Sequence, residues 1–68
     1  MEFLLVTFFQ ERDVIIDDVV AGLTNHLITL APGTYTISLA GPLDFTPEES
    51  TVIVQHTAPL EPKEVVFA

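Results

Sequence analysis

Sixty-eight residues carry ten acids, two bases (Arg12 and Lys63), no cysteine and a formal charge of −8. That length leaves room for one small domain, without the second lobe that an elaborate active-site cleft needs. The charge repels a phosphate backbone or an anionic membrane, and the missing cysteines remove any disulfide framework.

Val, Ile and Thr together make up 21 residues, against five Ala and one Lys. β-Branched side chains fit a pleated surface and lose rotamer freedom in a helix, so the balance points to strands. The first run, Glu2 to Phe9, places Phe3, Leu5, Thr7 and Phe9 on one side and Leu4, Val6 and Phe8 on the other. Neither side is polar, which calls for cover on both. Gln10 to Asp13 is a charged turn, and Val14-Ile15-Ile16 is a second short strand ending at Asp17-Asp18. Val19 to Leu23 reads as a short strand or one arm of a hairpin, with Gly22 free to take positive φ. His26 to Leu30 is the next strand.

Ala31-Pro32-Gly33-Thr34 is the strongest turn signal: Pro presets φ at the first corner and Gly accepts positive φ at the second, as in a type II turn. It is expected to join two antiparallel strands. Thr34 to Leu39 then alternates without a fault, with Tyr35, Ile37 and Leu39 inward and Thr34, Thr36 and Ser38 outward. Gly41-Pro42 ends that strand. Leu43 to Ser50 suits a loop with one helical turn, capped by Thr46 and carrying Pro47 in its first position. Thr51 to Gln55 is a strand, Ala58 to Pro62 is too rich in proline to be a central one, and Glu64 to Phe67 closes the chain as an edge or partner-pairing strand. The expected architecture is all-β: one domain, residues 1–68, folded as a small antiparallel two-sheet β-sandwich of six or seven short strands.

A strand ending at Asp17-Asp18, then Gly22-Leu23-Thr24, then Pro32-Gly33-Thr34-Tyr35 leading into an alternating strand form a pattern over Val14 to Leu39. This pattern resembles the PEGA-type β-domain and, more loosely, transthyretin-like and carboxypeptidase-regulatory-like β-sandwich modules. Phe9-Gln10-Glu11-Arg12 stands where that family carries Pro-Glu-Gly-Ala. Asp18 replaces its usual Gly, Asn25 its usual Pro, and Pro42 its usual aromatic. The resemblance implies an accessory interaction or spacer module of surface or envelope proteins, and it brings no catalytic residue to this chain.

Side chains that could carry chemistry have simpler roles. Asp13 and Asp17 would share a strand face about 13 Å apart, too far for one Ca²⁺, so Asp13, Asp17 and Asp18 read as a solvated edge and a turn. Glu48 and Glu49 suit a helix's first turn, and adjacent exposed carboxylates lack the burial that would make one a general acid. His26 and His56 would be half of a nitrogen site if their strands were neighbours, whereas zinc needs three or four ligands. Neither Ser38 nor Ser50 sits in a nucleophile elbow, and no glycine-rich phosphate loop is present.

No enzyme activity, cofactor or metal is therefore expected. Residues of the apolar set are 49% of the chain, more than a lone small domain easily hides, so a homo-oligomer is expected, with another protein as the second possible partner. The apolar excess lies at both ends, which nominates Phe3, Leu5, Phe8, Phe9, Val65 and Phe67 as the interface of a self-associating structural module. The alternative is a ligand- or calcium-binding β-sandwich accessory domain. Nucleic acid and membrane insertion are not expected: no apolar run nears the ~20 residues of a membrane-spanning helix. Met1-Glu2 supplies no basic region for a secretory signal, which places the chain in the cytoplasm if Met1 is its natural start and at the surface or envelope if it is an excised domain.

Overall fold

Backbone pairing follows the apolar runs closely. A computed structural model, which describes residues 1–68 throughout, contains seven strands and no helix. They are β1 (Glu2–Thr7), β2 (Asp13–Ile16), β3 (Val19–Leu23), β4 (Leu27–Leu30), β5 (Gly33–Leu39), β6 (Ser50–Val54) and β7 (Lys63–Val66). One sheet has the order β3-β2-β5-β6 and the other β4-β1-β7, so the chain is the two-sheet β-sandwich that its patterning implies.

The faultless alternation of β5 puts it inside the larger sheet, antiparallel to both β2 and β6. Ile37 and Leu39 are buried, and Tyr35 packs half-buried against the core with its hydroxyl donating to the Ala31 carbonyl at 2.5 Å. β2 and β3 form a hairpin closed by Ile16 and Val19, with Asp17 (φ 49°) and Asp18 (φ 68°) as its two loop residues. Positive φ at both positions is the type I′ geometry that matches strand twist, and Asp is among the few residues besides Gly that adopt it. Here Asp17 Oδ1 accepts from the Thr36 amide at 2.9 Å on the neighbouring strand.

The Pro32-Gly33 corner departs from expectation. Gly33 has no positive φ and already belongs to β5, opposite Val54. β4 and β5 are not paired at all; the corner carries the chain from the smaller sheet to the larger one. Gly22 likewise has no positive φ. It is glycine because a Cβ there would stand 2.8 Å from Ile28 Cδ1 and Cγ1, where β3 approaches β4.

β1 is the middle strand of the smaller sheet, antiparallel to β4 and parallel to β7. The first and last strands therefore pair with each other within one chain, and this parallel pair is the one departure from an all-antiparallel sandwich. Between the sheets lie Leu4, Val6, Phe8, Val14, Ile16, Ile28, Ile37, Leu39, Val54 and Val65, with Phe45 and Phe67 at one end. The helical turn expected after Thr46 is absent. Thr46 instead exchanges two backbone hydrogen bonds with Ala68, at 2.7 and 2.9 Å, which holds it extended beside the end of β7. The peptide bond between Thr46 and Pro47 is cis.

The accessible surface is 4139 Å², close to the roughly 4,200 Å² that size scaling gives for a folded chain of this mass. One copy thus conceals as much as a domain of its size ordinarily does. The apolar excess appears instead as side chains left on the surface, among them Phe9, Val19, Val20, Leu43, Ile53, Leu60 and Val66.

Candidate functional site

Period-two alternation in β1 sends Leu4 and Val6 into the core and Phe3, Leu5 and Thr7 to the outer face of the β4-β1-β7 sheet. Register then sets their neighbours: Phe3 lies opposite Thr29, Leu5 lies between Leu27 and Glu64, and Thr7 lies opposite Val66. Phe3 and Leu5 are half-buried, while Leu27 and Val66 are exposed. Nine of the chain's ten acids are exposed, all but Glu2, yet Glu64 is the only charged residue on this face.

Of the six residues expected at an interface, Phe3 and Leu5 are on this outer face. Phe9 follows the end of β1 and is 78% exposed, with its ring 4.6 Å from that of Phe8. Phe8, Val65 and Phe67 are core residues of the single chain, at 3–6% exposure, so they have nothing to offer a partner. Their burial follows from β1–β7 pairing: Val65 lies beside Val6, and the Phe67 amide donates to the Thr7 carbonyl at 2.9 Å.

Two polar clusters fix the rim of this sheet, and neither stood out in the sequence. Thr24, fully buried, accepts from the Arg12 amide at 2.8 Å and donates to the Gln10 carbonyl at 2.9 Å. Asn25, at φ 63°, takes the place of a strand neighbour for Phe8: its Oδ1 accepts from the Phe8 amide and its Nδ2 donates to the Phe8 carbonyl. Together they clamp Phe8 to Arg12, the crossing between the sheets. The signal available was Thr-Asn directly after a strand, since Asn tolerates the left-handed region.

The second cluster centres on Arg12. Its guanidinium donates to both carboxylate oxygens of Asp44, at 2.7 and 2.9 Å, and to the Pro42 carbonyl at 3.1 Å. It also lies 5.1 Å from the centre of the Phe8 ring and 5.9 Å from that of Phe45. Phe45 in turn meets Phe67 edge-on at 5.6 Å. Hydrogen bonding to Asp44 raises the Arg12 pKa, and the same contact lowers that of Asp44. At the start of β1, Glu2 accepts from the amide and the hydroxyl of Thr57, both at 2.8 Å, which lowers its carboxyl. A general acid needs its carboxyl raised; these contacts do the reverse and serve to pin loops.

The remaining candidates stay apart. His26 faces Glu11 at 3.0 Å just before β4, whereas His56 follows the end of β6 in the other sheet. Asp17 and Asp18 are turn residues, and three or more His, Asp or Glu side chains gather nowhere in a metal-holding group. No pocket opens on the surface, and no helix is long and apolar enough to cross a membrane.

No family model matches the chain, and no curated protein or solved structure is significantly similar to it.

Proposed function

We propose that the chain is a non-enzymatic interaction module that self-associates face to face through the β4-β1-β7 sheet. Phe3, Leu5, Leu27 and Val66 make the contact, with Phe9 at the end of β1 beside it. The observation that carries this reading is the near absence of charge from one apolar face of a chain with net charge −8. Two copies repel each other through their exposed acids, and on this face a copy can approach while burying apolar area against a single carboxylate. Three short strands about 4.8 Å apart offer far less than the roughly 800 Å² per partner of a stable interface, so the association is weak and concentration-dependent.

Sedimentation from micromolar to about millimolar protein, at about 0.05 and about 0.5 M salt, tests it. Association should strengthen at high salt, where repulsion between like-charged copies is screened, and Leu5→Glu should lower the size of the assembly while the chain stays folded. A wild-type chain that is monomeric throughout, or a Leu5→Glu chain that assembles like wild type, overturns the proposal.

A further inference from the structure

Four sheet edges are available, and three of them are guarded. β3 contains a bulge, where register shifts between Val14 and Ile15 on its partner, and bulges twist an edge away from further pairing. β7 begins with Lys63 and Glu64 directly after Pro62, and Ala68 beyond its end is tied to Thr46. β4 is only four residues long and runs into Ala31-Pro32. Within its own five residues β6 has none of these defences, although Pro47-Glu48-Glu49 precede it. Ser50-Thr51-Val52-Ile53-Val54 is uncharged, rich in β-branched residues, and in regular register with β5 over its whole length.

The backbone of β6 can be assigned side by side. Thr36 accepts from the Asp17 amide, so its polar groups face β2, and those of Tyr35 and Ile37 face β6. In an antiparallel pair the groups alternate, so Val52, opposite Tyr35, points its N–H and C=O at β5. Thr51 and Ile53 therefore point theirs away from the sheet, and neither backbone amide nor carbonyl has a partner.

We infer that β6 pairs antiparallel with β6 of a second copy, on a two-fold axis through Val52. This register puts Thr51 opposite Ile53 of the second copy and satisfies all four free groups on each strand, giving four backbone hydrogen bonds. The larger sheet then runs continuously through both copies. Charge selects the direction. Antiparallel pairing sets Glu48 and Glu49 of one copy against the acid-free Gln55-His56 of the other, whereas parallel pairing would stack the acids on their own equivalents. The inference extends self-association to a second surface and does not depend on the apolar face.

Because the chain has no cysteine, single-cysteine variants report the register directly. Val52 meets its equivalent as a non-hydrogen-bonded pair with Cα atoms about 4.5 Å apart, within disulfide range. Copies of residue 51 or of residue 53 lie about 8–9 Å apart, beyond it. On mild oxidation Val52→Cys should form covalent dimers at least about tenfold faster than Thr51→Cys or Ile53→Cys. Folded Val52→Cys that stays monomeric, or equal rates at all three positions, overturns the inference. Ile53→Pro removes only the outward N–H and should leave the fold intact while weakening edge pairing about tenfold or more. Ile53→Pro that self-associates as wild type also overturns it. Val52→Cys should still cross-link in the Leu5→Glu background; if Leu5→Glu abolishes cross-linking, β6 is not a separate surface. Loss of the face contact alone leaves the β6 dimer standing, which keeps the two proposals distinguishable.

Discussion

Replacing Thr24 by Val keeps the shape of a fully buried side chain and removes its hydroxyl. Two hydrogen bonds go with it, one from the Arg12 amide and one to the Gln10 carbonyl. Each backbone group left without a partner costs about 1–3 kcal/mol, and because both are only partly buried the sum should fall near 2–4 kcal/mol. Thr24→Ser keeps the hydroxyl and loses one buried methyl, worth about 1 kcal/mol. A domain of this size has roughly 3–10 kcal/mol of stability in all, so Thr24→Val should remove a large part of it. Urea unfolding followed by circular dichroism reads the difference. With m near about 1 kcal/mol/M, the midpoint should fall by about 2–4 M for Val and about 1 M for Ser. Amide exchange at Arg12 should quicken in Thr24→Val and stay slow in Thr24→Ser. A Val variant as stable as the Ser variant would show that packing of the methyl, not the clamp, is what Thr24 contributes.

Two further perturbations follow from the same geometry. Gly22→Ala should cost about 1–3 kcal/mol by overpacking against Ile28, whereas Gly33→Ala should be neutral or gain up to about 1 kcal/mol. At position 33 the nearest atom to a new Cβ would be 3.7 Å away and φ is ordinary; midpoints of urea unfolding that rank the two the other way would contradict the packing described for β3 and β4. In acid, Asp44 and Glu2 lie below their ordinary values of 3.8 and 4.5, held there by Arg12 and by Thr57. A carboxyl lowered by folding adds stability that is full above its unfolded value and vanishes as pH falls through its folded one. The unfolding midpoint should therefore drop from about pH 5 downward, and Asp44→Asn should start lower at neutral pH and show a shallower acid limb. An unchanged limb would mean the Arg12 pair contributes nothing.

How legible the fold was depended on whether each strand had a polar side. Thr34 to Leu39 has one, and its inward and outward residues are read off directly. Glu2 to Phe9 has none, so its face toward the core is set by pairing with β4 and β7, and local pattern carries no trace of a parallel partner at the far end of the chain. Pro32-Gly33 shows the same limit in a turn: the residues signal a corner, but whether it closes a hairpin or changes sheets depends on where Ile28 and Ile37 find core neighbours. The two ends of the chain stand out in composition as runs without a polar side. What periodicity could not separate was Leu5 on the surface from Val65 and Phe67 beneath it, because both lie in runs that are apolar throughout. The Arg12 cluster was hidden for a different reason. Its partners, Asp44, Phe45 and Phe8, are brought together only by the closing of the sandwich.

Parallel alignment of β1 and β7 also has a mechanical meaning. Strands that run the same way present their outer ends at opposite extremities of the ladder, so tension applied through residues 1 and 68 pulls the two strands past one another lengthwise. The hydrogen bonds joining Leu4 through Thr7 to Lys63 through Phe67 then bear the load together in shear, instead of parting singly as in a zipper. A parallel ladder loaded this way resists stretching better than one that unzips, since its bonds must fail together and not one by one.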